Sequence, residues 1–298
     1  MTLRLSLLSS LLCLVCAPLS AASLVVDLDL DLVDDVPGDG QCNVGAAVPP
    51  GGPRCTLRAA VMEAEANGAA DSILIPAGML IDLGLSGAGG ADVGDLNIST
   101  EISISGYQGA PPEDADLLPL IDASALGDRH FNVLNGQLTL RGLRLAGGTS
   151  AFGGGALFVA GNSTSRVEVQ HVQFNHNVAA TRGGAIEVGG AARLTVTDSH
   201  FLRNDAGGAS GAAIAATGGT TTIRRSSFAD NRDSALGATI LAIGDAQLRL
   251  ENSTVDGSLL SPPLAGLASR RGIYAGGTAR LIVRHATLSN FSSSAIDL

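Results

Sequence analysis

The sequence predicts an all-β chain wound as a single-stranded parallel β-helix, with a short N-terminal amphipathic capping helix. Three observations predict it. Phe174-Asn175-His176-Asn177, Phe201-Leu202-Arg203-Asn204 and Phe228-Ala229-Asp230-Asn231 recur at a spacing of 27 residues. A run of alternating apolar and polar residues precedes each of them. Composition is the third: aromatic residues make up 3%, Trp is absent, and Gly numbers 39 in 298 residues. A chain without aromatic bulk must fill its interior with small aliphatic side chains held in a regular lattice.

The repeat extends beyond the Phe units. Val255 lies 27 residues after Phe228, Leu288 a further 33 on, and Leu145 lies 29 before Phe174. Aligned on these positions, Leu138, Val167, Leu194, Thr221, Leu248 and Leu281 form one column. Leu140, Val169, Val196, Ile223, Leu250 and Val283 form a second. The column between them (Thr139, Glu168, Thr195, Thr222, Arg249 and Ile282) is mostly polar. Period-two alternation marks strands with one buried face. After each Phe position a Gly-rich turn leads to another strand: GGGALFV, GGAIEV, GAAIAA, GATILAI. A fixed period with short strands and no helix between them marks a solenoid. Glycine suits its corners, where positive φ or close backbone approach is needed, and the Asn of Phe-x-x-Asn is expected to hydrogen-bond along a ladder. A β-sandwich or barrel is the alternative fold, but Asn-Gly hairpin signals are scarce.

In chain order, residues 1–22 come first. Arg4, the apolar run LSLLSSLLCLVCAPL and Ser20-Ala21-Ala22 read as a secretory signal peptide, too short to remain as an anchor. No later stretch is long and apolar enough to span a membrane, so the mature chain is expected to be exported and without a membrane span. Its two cysteines, Cys42 and Cys55, most simply form a disulfide in an oxidising compartment; two free buried thiols are the alternative. All 18 basic residues are Arg; without Arg4, 17 oppose 28 Asp and Glu, about −11 in all. That balance argues against nucleic acid and anionic membrane as partners.

Residues 23–80 form a distinct N-terminal block, and 81–298 the β-helix proper, with the clearest repeats over 137–298. In TLRAAVMEAEAN, Leu57, Ala60, Val61 and Ala64 share one helix face, with Thr56 as N-cap and Gly68 as the stop. The block contains Gly38-Asp39-Gly40-x-Cys42, Cys55-Thr56-Leu57-Arg58-Ala59-Ala60-Val61, Glu63-Ala64, Asn67, Asp71-Ser72-Ile73 and Pro76-Ala77-Gly78. It resembles the CSLREA family, named for a Cys-Ser-Leu-Arg-Glu-Ala motif and found ahead of β-helices in secreted bacterial proteins; Thr56 and Ala59 depart from that motif. The resemblance implies export and a β-helix, and assigns no activity. Arg58 is expected to serve the cap as an ion-pair or hydrogen-bond residue. Over 137–298, Gly154-Gly155-Ala156-Leu157, Gly183-Gly184-Ala185-Ile186 and Gly211-Ala212-Ala213-Ile214, paired with Phe-x-x-Asn, resemble the repeat of chlamydial polymorphic outer-membrane proteins. That resemblance implies a right-handed β-helix of the adhesin or autotransporter-passenger kind.

Four groups are candidates for chemistry. Asp34, Asp35 and Asp39, around Pro37-Gly38, could turn about a calcium ion, or belong to a solvated acidic edge that includes Asp27, Asp29 and Asp31. Three residues before each Phe position runs a column holding His171, Asp198 and Arg225, adjacent across coils. It is either an acid–base cluster for polysaccharide cleavage or a polar corner ladder. Arg270 and Arg271 close an insertion at 257–272, a candidate binding loop or a plain linker. His130, His176 and His200 read as exposed singletons. With no convergent catalytic cluster repeated along the chain, the preferred reading is a secreted or cell-surface, non-enzymatic adhesin or carbohydrate-binding module needing no cofactor. A polysaccharide lyase or glycoside hydrolase of β-helix type is the alternative, and a structural spacer the third.

Overall fold

The computed structural model describes residues 21–45, 51, 54–87, 92–109, 115–207, 210–233, 237–257 and 271–298. The expected leader lies outside them, apart from Ala21 and Ala22. The chain is a right-handed parallel β-solenoid. Three long sheets of nine, eight and eight strands run its length, joined by a short four-stranded one. The first sheet runs from Ser23–Val25 to Arg280–Arg284, the second from Leu80–Asp82 to Thr287–Ser289, and the third from Leu96–Ile98 to Ile296–Asp297. A coil passes from Arg166–Gln170 in the first sheet to Gln173–Asn175 in the second. It crosses the short strand Val178–Ala179 and reaches Ile186–Val188 in the third.

The next coil starts at Arg193–Thr197, with Val167 paired to Leu194 and Val169 to Val196. The columns of the sequence are therefore columns in space, each rung about 4.8 Å from the next. Phe174, Phe201 and Phe228 stack inside with ring centroids 4.7 and 4.6 Å apart, their planes 6° from parallel. Beside them, buried Asn177, Asn204 and Asn231 form the expected ladder. Asn204 donates through Nδ2 to Phe174 O and to Asn231 Oδ1, both at 3.0 Å. A second ladder, Ser199, Ser226 and Ser253, caps backbone amides of the preceding coil: Ser199 N donates to Ser226 Oγ at 3.2 Å, and Ser226 N to Ser253 Oγ at 3.1 Å. The double glycine has two causes. Gly183 sits at φ 64, and a Cβ on Gly184 would stand 2.2 Å from Ala212 O, so neither position accepts a side chain.

At the N-terminal end the helix Leu57–Asn67 is capped by Thr56, whose Oγ1 accepts from Ala59 N at 3.1 Å, and ends at left-handed Gly68. Leu57, Ala60, Val61 and Ala64 join the core with Leu24, Ile73 and Leu96. Cys42 and Cys55 form a disulfide. Arg58 is fully buried and meets Asp31 at 2.7 Å, while Asp31 Oδ2 accepts from Gly84 N and Leu85 N, each at 2.8 Å. Asp31 is thus an internal clasp between cap and first coil, which corrects the expectation of a solvated acidic edge there: its carboxylate is covered and held by Arg58 and two backbone amides. Among the described residues no helix is long and apolar enough to cross a membrane.

Candidate functional site

The column of His171, Asp198 and Arg225 is the corner between the first and second sheets. All three have positive φ, 53, 51 and 47°, as do Asn252 and His285 in the same column, both at 49°. The corner needs the left-handed conformation, which short polar residues tolerate better than branched ones. Arg225 grips Asp198 bidentately, Nε to Oδ1 and a terminal nitrogen to Oδ2, both at 2.7 Å. That hydrogen bonding holds the Asp198 carboxyl below its ordinary range. His171 turns away, its Nδ1 lying 3.3 Å from Tyr107 Oη. The three residues are adjacent, as expected, but divide between two partnerships. A carboxylate locked in its ionised form is a poor proton donor, so the geometry fits the corner-ladder reading.

Next to this corner, the outer face of the second sheet carries a shallow groove of about 270 Å³. Gln173, Asn175, His200, Leu202, Ser227 and Ala229 line it, the residues that flank each Phe. Their neighbour Phe points inward, so alternation sends these side chains out. His200 Nδ1 and Ser227 Oγ lie 2.7 Å apart. Partial desolvation, then the nearby His171, lowers the His200 pKa, with Asp198 opposing.

A second polar cluster lies on the outer face of the third sheet, built from four coils. Arg129 Nε stands 3.4 Å from Asp95 Oδ2 and 3.7 Å from Asp128 Oδ1. A terminal nitrogen donates to Ser150 Oγ at 2.9 Å, and the guanidinium lies 5.2 Å over the Phe158 ring. One rung on from Phe158 is Glu187, buried, accepting from Arg182 Nε at 3.0 Å. Burial pushes the Asp95 carboxyl up to about 6, with Asp128 adding and Arg129 opposing. Burial also raises Glu187, against the pull of Arg182. Sequence reasoning passed over this cluster; its one visible signal was a Glu set in the outward position of GGAIEV.

The remaining expectations fall elsewhere. Among the described residues no three His, Cys, Asp or Glu side chains converge on a metal site. Asp34 accepts from Asn43 N at 3.0 Å, Asp39 accepts from Gln41 N at 2.8 Å, and Asp35 is exposed. The Asp34 and Asp39 carboxylates thus accept turn amides, and the three do not converge as a ligand set among the described residues. Arg270 lies outside the described residues. Arg271 belongs to the third-sheet strand Arg271–Ala275, 2.6 Å from Asp297 and with its guanidinium 5.7 Å over Tyr274. His176 and His200 are exposed, but His130 is not. It points inward with Nε2 3.0 Å from Ile121 O, and burial lowers its pKa to about 4.

The chain matches no family model, no curated protein and no solved structure. The CSLREA-like and polymorphic-repeat resemblances therefore stand on their quoted motifs.

Proposed function

We propose that this chain is an exported β-helix that holds a carbohydrate polymer or cell-surface partner along its side, as an adhesin or binding module, without cleaving it. The second-sheet groove carries this reading. Stacked rungs place amide, imidazole and hydroxyl groups in a line at regular steps, open to an extended ligand. The acid beside the groove, Asp198, is committed to Arg225. The Cys42–Cys55 disulfide supports export to an oxidising compartment. The lyase or hydrolase reading is favoured by one observation only, Asp95, whose carboxyl retains a proton to about pH 6, within the range of a general acid. The test is retention of polysaccharides by the mature chain, with new reducing ends and unsaturated-sugar absorbance followed in parallel. Retention without products supports binding; products lost on Asp95→Asn move the assignment to cleavage.

A further inference from the structure

The two ends of the solenoid are unlike. At the N-terminal end the cap helix is itself covered by the segment 27–40. Leu32 O accepts from Thr56 Oγ1 at 2.6 Å, and the Glu63 carboxylate accepts from Gly38 N at 2.5 Å and Gly40 N at 2.7 Å. At the other end, nothing among the described residues covers the last coil. Its inward Leu281, Val283 and Leu288 are half-buried, whereas Leu248, Leu250 and Val255, one rung before, are at most 1% exposed. Strand Arg280–Arg284 is bonded on one side only, as is Ser23–Val25 at the opposite end of the same sheet. Open edges and interior ladders of this kind invite a further layer. Exposed apolar side chains gather at the same two places. Of twelve large ones exposed among the described residues, Val25, Leu30, Val33 and Val36 lie at the N-terminal end and Ile282 and Ile296 in the last coil, half of the total.

We propose that the last coil docks on the N-terminal end of a second copy of this chain, so that copies join head to tail along the solenoid axis. Charge selects this occupant. Residues 23–45 hold six Asp and no Arg, while 271–298 hold three Arg and one Asp. Arg271 pairs with Asp297, and Glu251, one rung before Arg284, is held by Arg224 and Arg249. Exposed Arg280 and Arg284 form no ion pair among the described residues, and neither do exposed Asp29 and Asp35. Stacked head to tail, these arginines meet those aspartates, and Ile282 meets the apolar side chains of 25–36. The two-fold arrangements fail on the same ground: tail to tail sets arginine against arginine, and head to head sets six Asp against six. The net charge of −10 repels copies at a distance, but beyond about 8 Å physiological salt screens it, and the contact pairs decide. A head-to-tail contact does not close on itself, so it continues from copy to copy. The inference is independent of the polymer-binding reading.

The experiment is sedimentation velocity of the mature chain over a concentration series. The expected result is a sedimentation coefficient that keeps rising with concentration, without a plateau at the dimer. Arg280→Glu combined with Ile282→Glu should weaken association about tenfold or more. Both positions are exposed, and Ile282 lies one rung after Arg249, so the melting temperature should hold. Leu30→Asp combined with Val36→Asp, exposed at the other end, should weaken it as much. Each double variant keeps one intact end, so an equimolar mixture of the two should form a dimer that grows no further. Four results would overturn the proposal: a wild-type chain monomeric at every concentration, association that stops at the dimer, wild-type association of the Arg280→Glu, Ile282→Glu chain, or a mixture that stays monomeric.

Discussion

The corner between the first two sheets and the outer face of the third carry the same residue types to opposite ends. Each sets an Asp beside an Arg. At the corner, Asp198 meets Arg225 twice at 2.7 Å and its pKa falls. On the third sheet, Asp95 is more deeply buried, its side chain 14% exposed against 26% for Asp198. Its arginine is 3.4 Å away and is shared with Asp128, and its pKa climbs to about 6. Charge-assisted bidentate bonds outweigh modest desolvation, whereas a longer, divided contact does not. An Asp–Arg neighbour is therefore no sign of chemistry by itself; burial and contact geometry set the direction in which its carboxyl shifts.

The largest test of this contrast is pH. His130, next to Arg129 in sequence and fully buried, titrates near 4 folded and near 6.5 unfolded. The folded state binds fewer protons over that window, so stability present above pH 6.5 is lost as pH falls toward 4, roughly 3 kcal/mol. Asp95 acts oppositely. Its raised folded value contributes stability below its unfolded pKa near 3.8, lost as pH rises through about 6. Urea unfolding from pH 4 to 7 should lose most of its acid sensitivity in His130→Gln and gain acid sensitivity in Asp95→Asn. Parallel profiles for all three chains would contradict both shifts.

Next comes removal of each arginine. Arg129→Ala leaves two part-buried carboxylates facing each other and should cost about 2 kcal/mol in urea unfolding at pH 7. Arg225→Ala, on an exposed pair, should leave stability unchanged within error. Equal losses would erase the distinction. Carboxyl NMR titration sharpens it without unfolding: Asp95 should titrate near pH 6, and Asp198 below the usual range, rising in Arg225→Ala. The smallest effect is expected from Gly153→Ala, whose Cβ forces the Glu187 carboxyl aside and presses on Arg182 O at 2.9 Å, for about 1–2 kcal/mol. A loss of several kcal/mol there would mean that the backbone had moved as well.

The repeat columns were legible because a solenoid stacks residues 27 apart directly over one another, so Val167, Leu194 and Thr221 could be placed without a third dimension. The cap helix was equally legible, since Thr56, Gly68 and the buried stripe between them are local signals. The third-sheet cluster was hidden by unequal coils. Leu96 pairs with Phe131, Phe131 with Leu157, and Leu157 with Ile186, at separations of 35, 26 and 29 residues. No fixed offset connects Asp95, Arg129 and Glu187. His130 was misplaced for a related reason: it lies just outside a strand, where alternation no longer says which way a side chain points.

The measurement that bears most directly on the account is incubation of the mature chain with acidic and neutral polysaccharides, following polymer retention and new reducing ends together. The account predicts retention with no product, unchanged by Asp198→Asn. Product formation abolished by Asp198→Asn or His171→Ala would contradict it and make the corner a catalytic site.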